Sequence, residues 1–120
     1  MAHAVSRCVL IVDDSDIIRS RLQSLVRELQ RDITLCMASD VRQAMQSLHS
    51  QRPDMVILDL CLPDGSGLDV LQEIKARFPG IAVAILTHYA DTAYRVRCAE
   101  LGADYFLDKA TEFEVIREIL

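Results

Sequence analysis

The stretch Met55-Val-Ile-Leu-Asp-Leu-Cys-Leu-Pro-Asp-Gly-Ser-Gly67 decides how this chain folds. Its first four residues form a continuous apolar run, which is typical of a strand buried on both faces of a parallel sheet. Asp59 ends that run, and Pro63-Asp-Gly65 supplies a turn, because Pro fixes φ and Gly accepts positive φ. The stretch therefore predicts a buried strand that delivers a carboxylate to one edge of a sheet.

Other apolar runs in the chain have the same form and also end in polar side chains. These pairs are Cys8–Val12 with Asp13 and Asp14, 81–86 with Thr87, and 105–107 with Asp108 and Lys109. Segments of helical period separate the runs, and this alternation predicts βαβ units with a parallel sheet. We predict strands at about 7–12, 33–38, 54–59, 81–86 and 104–107. Because crossovers are right-handed, five such units predict an α/β fold, a (βα)5 doubly wound sheet.

Local signals mark where the helices begin and how well each one packs. Asp40 is a predicted N-cap, and Ser66-x-x-Asp69 and Thr111-x-x-Glu114 read as capping boxes. The fourth helix, at about 91–101, has a weak apolar stripe that consists of little more than Ala93 and Val96. Such a helix either shifts at low cost or is a poorly patterned surface helix.

Size and composition exclude several classes of protein. A chain of 120 residues fits one domain, and a hydrophobic content of 51% predicts a normal buried core. The net charge of −5, with basic residues scattered, predicts no direct nucleic-acid binding and no attachment to an anionic membrane. No apolar stretch reaches the roughly 20 residues of a membrane span, and the N-terminus lacks a signal-peptide layout. The four widely spaced cysteines predict reduced thiols and hence a cytoplasmic location.

The polar residues at the strand ends predict a site for a divalent cation and a phosphoryl group. In an open parallel sheet the carboxyl ends of the strands meet at one edge, where ligands bind. Clustered carboxylates repel one another unless a cation offsets them, and hard oxygen ligands suit Mg²⁺. Taken singly, each residue has another explanation: Asp13 and Asp14 as helix-capping acids, Asp59 as a turn residue, Thr87 as a strand former and Lys109 as a solvated lysine.

Taken together and in order, these pieces resemble the receiver domain of two-component response regulators. The resemblance covers essentially the whole chain and is most specific around Asp59. Its pieces are Val12-Asp-Asp-Ser15, Asp59-Leu-Cys-Leu-Pro-Asp-Gly-Ser-Gly67, Leu86-Thr87 and Gly102-Ala-Asp-Tyr-Phe-Leu-Asp-Lys109. The resemblance implies a flavodoxin-like sheet with strand order 2-1-3-4-5. We expect residues 1–120 to form one receiver domain, either standing alone or cut from a regulator with an output domain.

The resemblance also implies a role for each residue at the edge. Asp59 accepts a phosphoryl group from the phosphohistidine of a histidine kinase or phosphotransfer protein. Thr87 hydrogen-bonds that group and Lys109 pairs with it. The side chain of Phe106 follows the movement of Thr87, which alters the partner surface of the fourth helix, fifth strand and fifth helix.

The same resemblance implies the ligands of the Mg²⁺ ion. Asp14 and Asp59 bind it through their carboxylates, Asp13 binds through water, and Cys61 binds through its backbone carbonyl. The chain is then a phosphorylation switch that serves signalling, with transcription as one output that it controls, and not a turnover enzyme. Two alternatives remain: an interaction module of the same fold that is never phosphorylated, and a metal-dependent phosphohydrolase, which needs Asp-x-Asp after the first strand.

Two positions depart from the family pattern. Members usually have Pro after the lysine, often joined by a cis bond, whereas this chain has Ala110. A cis non-proline bond costs about 2.5–4 kcal/mol, so either that strain is kept or the bond is trans and Lys109 is aimed differently. His88 and Tyr89 follow Thr87, where the family mostly begins with a small residue. Their bulk predicts slow hydrolysis of the acyl phosphate, or alternatively a partner contact at His88.

Overall fold

Residues 6–120 are described by a computed structural model, in which five parallel strands form a sheet and two short strands form a hairpin. The strands are β1 (Arg7–Val12), β2 (Ile33–Ala38), β3 (Met55–Leu58), β4 (Cys61–Leu62), β5 (Gly65–Ser66), β6 (Ala82–Thr87) and β7 (Tyr105–Asp108). The helices are α1 (Asp16–Leu29), α2 (Val41–Gln51), α3 (Gly67–Arg77), α4 (Thr92–Glu100) and α5 (Ile116–Ile119), the last preceded by a 3₁₀ turn at Phe113–Val115. The expectation of no signal peptide concerns residues 1–5, which lie outside the described residues.

The order of strands in the sheet is β2-β1-β3-β6-β7, and every neighbouring pair is parallel. This confirms the doubly wound sheet and the order 2-1-3-4-5, since β6 and β7 are the fourth and fifth strands of the sheet. The hairpin of β4 and β5 was not predicted as strands, but it surrounds the predicted Pro63-Asp-Gly65 turn.

Both faces of the sheet are buried, as the continuous apolar runs predict. Along β1, Val9 and Ile11 belong to a cluster with side chains of α1 and α5. The alternate residues, Leu10 and Val12, belong to a second cluster with side chains of α2, α3 and α4. Because successive side chains of a strand point to opposite faces, one apolar run supplies both cores. The sheet is therefore a fixed frame on which the strand ends are held.

The helix starts confirm the Asp40 cap and half of the Ser66 capping box. The Asp40 carboxylate accepts a hydrogen bond from the Gln43 amide at 2.7 Å. The Ser66 hydroxyl caps α3, but it accepts from the Leu68 amide and not from that of Asp69. The Ser66 cap is thus present, but its hydroxyl accepts from the amide one residue earlier than the capping box predicts.

The predicted capping box at the last helix is wrong. The 3₁₀ turn begins at Phe113, and no side chain caps its start at Glu112. The helix starts one residue later than the box requires, and the Glu114 carboxylate that the box needs pairs with Arg117 at 2.5 Å. The Glu112 carboxylate accepts the Asp108 amide at 3.0 Å and pairs with Arg95 at 3.1 Å. The end of this helix is held by tertiary contacts, which a local motif does not reveal.

The weak apolar stripe predicted for the fourth helix does not pack against the core. Val96 is 51% exposed, Ala93 is exposed, and the one buried residue of α4 is Cys98. The face of α4 that packs against the core is the one that carries Cys98. The sequence pattern does not indicate this face, because the apolar side chains of the helix are few and small. Among the described residues, no helix is long and apolar enough to cross a membrane.

All four cysteines carry free thiols in the structure. Cys8 on β1 and Cys36 on β2 are half-buried neighbours whose Sγ atoms lie 3.7 Å apart. Burial, followed by the contact with Cys36, raises the pKa of the Cys8 thiol to about 11. Cys8 therefore stays protonated at neutral pH, as an inert thiol does.

Candidate functional site at the carboxyl edge of the sheet

The polar residues predicted at the strand ends converge at one edge of the sheet. The backbone amide of Asp59 donates to the carbonyl of Val12 at 2.9 Å, which fixes the end of β3 beside the end of β1. The amide of Lys109 donates to the carbonyl of Thr87 at 2.9 Å, which fixes the end of β7 beside the end of β6. The side chains of Asp13, Asp59, Thr87 and Lys109 are the polar residues classed as buried in the described chain.

Lys109 joins two of the carboxylates. Its Nζ atom lies 2.7 Å from Oδ2 of Asp13 and 2.9 Å from Oδ2 of Asp59, and its side chain is only 4% exposed. No peptide bond among residues 6–120 is cis, so the Lys109-Ala110 bond is trans. Of the two alternatives open from the sequence, the bond is therefore trans, yet Lys109 still reaches the acids.

Burial and charge act in opposite directions on this group. Burial alone would lower the pKa of Lys109, but its hydrogen bonds and attraction to Asp13 and Asp59 raise that pKa above its ordinary value. Lys109 is therefore a permanent cation at neutral pH. For Asp13, burial is the largest effect and raises the pKa, although the Lys109 ammonium and the Ser15 amide oppose the rise. Burial therefore disfavours the charged form of Asp13, and a second cation at the site would offset that cost.

Three carboxylates meet the geometric needs of a metal site. Oxygen atoms of Asp13, Asp14 and Asp59 all lie within 4.8 Å of one another, with Asp14 exposed and the other two buried. A set of hard oxygen ligands open to water on one side suits Mg²⁺, which keeps several of its own waters. Oδ1 of Asp13 accepts the Ser15 amide at 2.9 Å, which orients this carboxylate at the start of α1.

Cys61 begins β4, two residues after Asp59. Its amide is 3.5 Å from Oδ1 of Asp59, and its side chain is exposed. The metal-binding role of its backbone carbonyl stays a prediction.

Thr87 and Phe106 occupy the predicted switch positions. Thr87 is fully buried, and its Oγ1 accepts the amide of Tyr89 at 3.2 Å. Phe106 is half-buried and packs against the core cluster on the α2, α3 and α4 face. The guanidinium of Arg95 lies over its ring, with Cζ 4.8 Å from the ring centroid. The Thr87 hydroxyl is thus engaged within its own loop, and the Phe106 ring lies between the core and α4.

Gly67 is a site residue whose importance the sequence reasoning missed. A Cβ atom at this position would lie 2.1 Å from the carbonyl oxygen of Asp59. The Gly67 amide also donates to the carbonyl of Leu60 at 2.8 Å, so the loop after Asp59 closes back on itself. Only glycine permits this approach. The available signal was a glycine directly after the Ser66 cap.

Asp64 was read as a turn residue, but it also holds the hairpin in place. Its carboxylate accepts the amide of Val41 at 2.7 Å and that of Arg42 at 3.1 Å, both in the first turn of α2. The Val41 bond is the main cause that lowers the pKa of Asp64. The partners lie more than 20 residues away, so no sequence pattern indicates this contact.

A groove of about 300 Å³ borders the loop after Asp59. Its walls include Cys61, Leu68, Tyr89 and Tyr94. The electrostatic interaction with Cys61, and then the side-chain hydrogen bond with it, raise the pKa of Tyr89. His88 is exposed, and the groove is bordered by Tyr89 instead. The shielding role predicted from the bulk after Thr87 stays a prediction.

Comparison with known proteins identifies the family. The family model of the response regulator receiver domain matches residues 9–120. The chain belongs to the receiver-domain family. In that family the domain works as a phosphorylation switch in two-component systems and binds Mg²⁺ at an acidic pocket. Histidine kinases and output domains are the partners of such receivers.

The receiver is similar to the regulatory parts of longer proteins. It is 34% identical over 108 residues to the probable transcriptional regulatory protein TcrX of Mycobacterium tuberculosis, covering 90% of this chain and 45% of TcrX. It is 34% identical over 111 residues to the response regulator PilR of Pseudomonas aeruginosa, covering 92% of this chain and 24% of PilR. The chain thus spans between a quarter and a half of the length of these two relatives.

Solved receivers have the same fold. The receiver domain of the putative LuxO repressor of Vibrio parahaemolyticus superposes with a TM-score of 0.88 at 28% identity. That comparison covers 96% of this chain and 87% of the solved one. The receiver fold is therefore shared over almost the full described chain.

Proposed function

We propose that Asp59 is the phosphoryl acceptor of this receiver. The observation that carries the proposal is the Lys109 ammonium held between the buried carboxylates of Asp13 and Asp59, at 2.7 and 2.9 Å. A carboxylate can attack phosphorus and form an acyl phosphate when nearby cations neutralise the approaching charge. The Asp59 oxygen forms the new bond to phosphorus, and the bond from phosphorus to the protonated donor ring breaks. The electron pair of that bond stays on the ring nitrogen, and the imidazole leaves neutral because its other nitrogen keeps the proton.

The other residues of the edge orient and neutralise the transferred group. Asp14 and Asp59 would hold Mg²⁺ by their carboxylates, Asp13 through water and Cys61 by its carbonyl. When bound, the metal supplies positive charge that offsets the phosphoryl oxygens. Lys109, already fixed at the site, pairs with one of those oxygens as a point charge.

Thr87 and Phe106 then carry the change to the surface. The Thr87 hydroxyl leaves the Tyr89 amide and donates to a phosphoryl oxygen. The Phe106 ring moves into the space that Thr87 vacates. The surface formed by α4, β7 and α5 is altered as a result, and we propose that an output domain or a second receiver reads it.

We further propose that the phosphoryl donor is a histidine kinase or a phosphotransfer protein in the cytoplasm. A longer regulator that controls transcription is one output that fits the relatives. The domain itself would carry out only its own phosphorylation and dephosphorylation, without turnover of another substrate.

Intact-mass analysis after incubation with acetyl phosphate and Mg²⁺ tests this function. We expect the wild type to gain one phosphoryl group and Asp59→Asn to gain none. Asp32→Asn is the matched control, because it makes the same chemical change at an exposed position. It should be phosphorylated like the wild type.

Three outcomes would contradict the proposal, each in a different way. Equal phosphorylation of Asp59→Asn would place the acceptor elsewhere. A wild type that gains no phosphoryl group from acetyl phosphate or a phosphorylated kinase domain would favour the interaction module. Repeated turnover of a phosphomonoester would favour the phosphohydrolase.

A further inference from the structure

Polar contacts hold α4 to the rest of the receiver more than apolar packing does. Cys98 is its one buried residue, and Val96 and Tyr94 are large apolar side chains left exposed. Arg95, in the same helix, instead makes contacts with three other parts of the chain. A helix held in this way can be released by changing one side chain.

The contacts of Arg95 surround the switch residue Phe106. Its Nη1 atom is 3.4 Å from the backbone carbonyl of Phe106, and its guanidinium carbon is 4.8 Å from the centroid of the Phe106 ring. A cation within about 6 Å of an aromatic face is attracted to it. Its Nε atom donates to the carbonyl of Ala90 at 3.3 Å, which ties the start of α4 to the same side chain.

Glu112 completes the arrangement from the other side. Its Oε1 atom lies 3.1 Å from Nη2 of Arg95 and accepts the amide of Asp108 at 3.0 Å. The Asp108 amide, and then Arg95, lower the pKa of Glu112, so Glu112 is charged at neutral pH. The carboxylate therefore links α4 to the end of β7, one residue before Lys109. We call Arg95, its ion-pair partner Glu112 and the Phe106 ring beneath the guanidinium the Arg95 clamp.

The clamp belongs to the conformation in which Asp59 carries a free carboxylate. In that conformation Lys109 pairs with Asp59, and the Thr87 hydroxyl accepts the amide of Tyr89. If the Phe106 ring follows Thr87 towards a phosphoryl group, it must leave the guanidinium of Arg95. Contacts made in only one of two conformations favour that conformation by their free energy.

We propose that Arg95 and Glu112 are positioning residues that hold Phe106 in the conformation with free Asp59 and so set how readily the receiver switches. The proposal rests on the proposed function, since it assumes phosphorylation at Asp59. A change that releases the ring raises the fraction of receivers in the conformation that accepts the phosphoryl group. Removing the clamp should therefore raise the rate of phosphorylation by acetyl phosphate.

The test compares Arg95→Ala with Arg97→Ala in protein labelled with fluorophenylalanine. Arg97 is the matched control, because it lies on the same helix and, among residues 6–120, its side chain forms an ion pair with Glu100 alone, at 3.6 Å. Fluorine NMR reports on the three phenylalanines of the chain, and a Phe106→Leu variant assigns the resonance of Phe106. The phosphorylation rate is measured by intact mass with acetyl phosphate and Mg²⁺.

For Arg95→Ala we expect the Phe106 resonance to shift towards its position in phosphorylated wild type. We expect a phosphorylation rate higher by roughly two- to tenfold, as a modest rise in the fraction of the reactive conformation would give. Arg97→Ala should change neither quantity. Arg95→Lys should behave like Arg95→Ala, because an ammonium lacks the planar fork that contacts both the ring and the carbonyl.

Failure of the clamp and failure of the proposed function give different results. If wild type is phosphorylated but Arg95→Ala keeps its rate and its Phe106 resonance, the clamp is wrong. If no variant is phosphorylated, the proposed function fails. The Phe106 resonance of Arg95→Ala then still tests whether Arg95 positions the ring, and an unshifted resonance contradicts the clamp. Glu112→Gln keeps an acceptor for the Asp108 amide and serves if Arg95→Ala does not fold; an unshifted resonance there also contradicts the clamp.

Discussion

Helices α1 and α4 both follow strands that end in site residues, yet they are held in different ways. Helix α1 buries four apolar side chains against the sheet, namely Ile18, Leu22, Leu25 and Val26. Helix α4 buries Cys98 alone and depends on Arg95 for its contact with β7 and the loop after it. Burial of apolar area contributes about 25 cal/mol per Å², whereas an exposed ion pair contributes at most about 1 kcal/mol.

The difference suggests how one small domain combines a fixed site with a movable surface. Asp13 and Asp14 lie just before α1, the well-packed helix, so the acidic cluster keeps its geometry. Thr87 precedes α4, the weakly packed helix, so a movement of its hydroxyl can displace that helix at low cost. Regions that move in allostery come from the least stable parts of a fold. The predictions below test this contrast, from the largest effect to the smallest.

Truncating one apolar side chain in each helix should separate the two helices most clearly. Leu22→Ala removes a fully buried side chain of α1 and should lower the free energy of unfolding by about 2–5 kcal/mol. Val96→Ala in α4 should change it by no more than about 0.5 kcal/mol, because Val96 is largely exposed. Urea unfolding followed by circular dichroism measures both. Similar losses for the two variants would remove the contrast on which the account depends.

A methyl group at Gly67 should disturb the site itself. Gly67→Ala brings a Cβ atom against the Asp59 carbonyl, so we expect a loss of about 1–3 kcal/mol in the free energy of unfolding. The same displacement of Asp59 should slow phosphorylation by acetyl phosphate. Gly80→Ala is the control, since nothing lies within 4 Å of a Cβ atom there. A Gly67→Ala protein as stable and as reactive as the control would refute the close approach.

Because the carboxylate of Asp13 is buried, the free energy of unfolding of the domain should fall as the pH rises. Its pKa is raised in the folded protein from an ordinary value of 3.8, so the folded chain binds this proton more tightly than the unfolded chain. The stability due to this proton is complete below pH 3.8 and is lost as the pH rises through the raised pKa. Lys109 stays charged throughout that range, since its pKa is raised from 10.5.

Asp13→Asn cannot titrate and isolates this effect. We expect the difference in free energy of unfolding between Asp13→Asn and wild type to grow in favour of the variant across that window, without Mg²⁺. Thermal unfolding at a series of pH values measures the difference. A constant difference, or one that grows in favour of wild type, would show that burial does not dominate at Asp13.

The smallest expected effect on stability concerns the Arg95 clamp. Arg95→Ala removes a partly exposed ion pair with Glu112, so the free energy of unfolding should fall by less than about 1 kcal/mol. Thermal unfolding beside Arg97→Ala measures this. A loss of several kcal/mol would mean that Arg95 supports the fold as a whole and that α4 is not weakly held.

The sequence was sufficient to predict the sheet and the residues at its edge. Buried parallel strands appear in the sequence as continuous apolar runs. The residue that follows each run lies at the carboxyl edge of the sheet, as Asp59 does after β3. Asp40 could be predicted as a cap because its partner amide lies only three residues away. These predictions succeed where the physical cause is local or repeats along the chain.

The remaining features depend on residues that meet only after folding. Asp64 accepts amides of α2, and Glu112 pairs with Arg95 instead of capping its own helix. The buried face of α4 could not be predicted, because polar contacts rather than an apolar stripe decide it. At Ala110 the sequence left two backbone conformations open, and the trans bond found there is the one that a non-proline residue favours.

Hydrogen exchange of the backbone amides, with and without phosphorylation at Asp59, tests the central claim most directly. The central claim is that phosphorylation changes α4 and β7 while α1 keeps its place. We expect amides of Thr92–Glu100 and Tyr105–Asp108 to change their exchange rates, and those of Leu22–Leu29 to stay unchanged. Equal changes in both helices, or unchanged α4 amides in fully phosphorylated protein, would contradict the account.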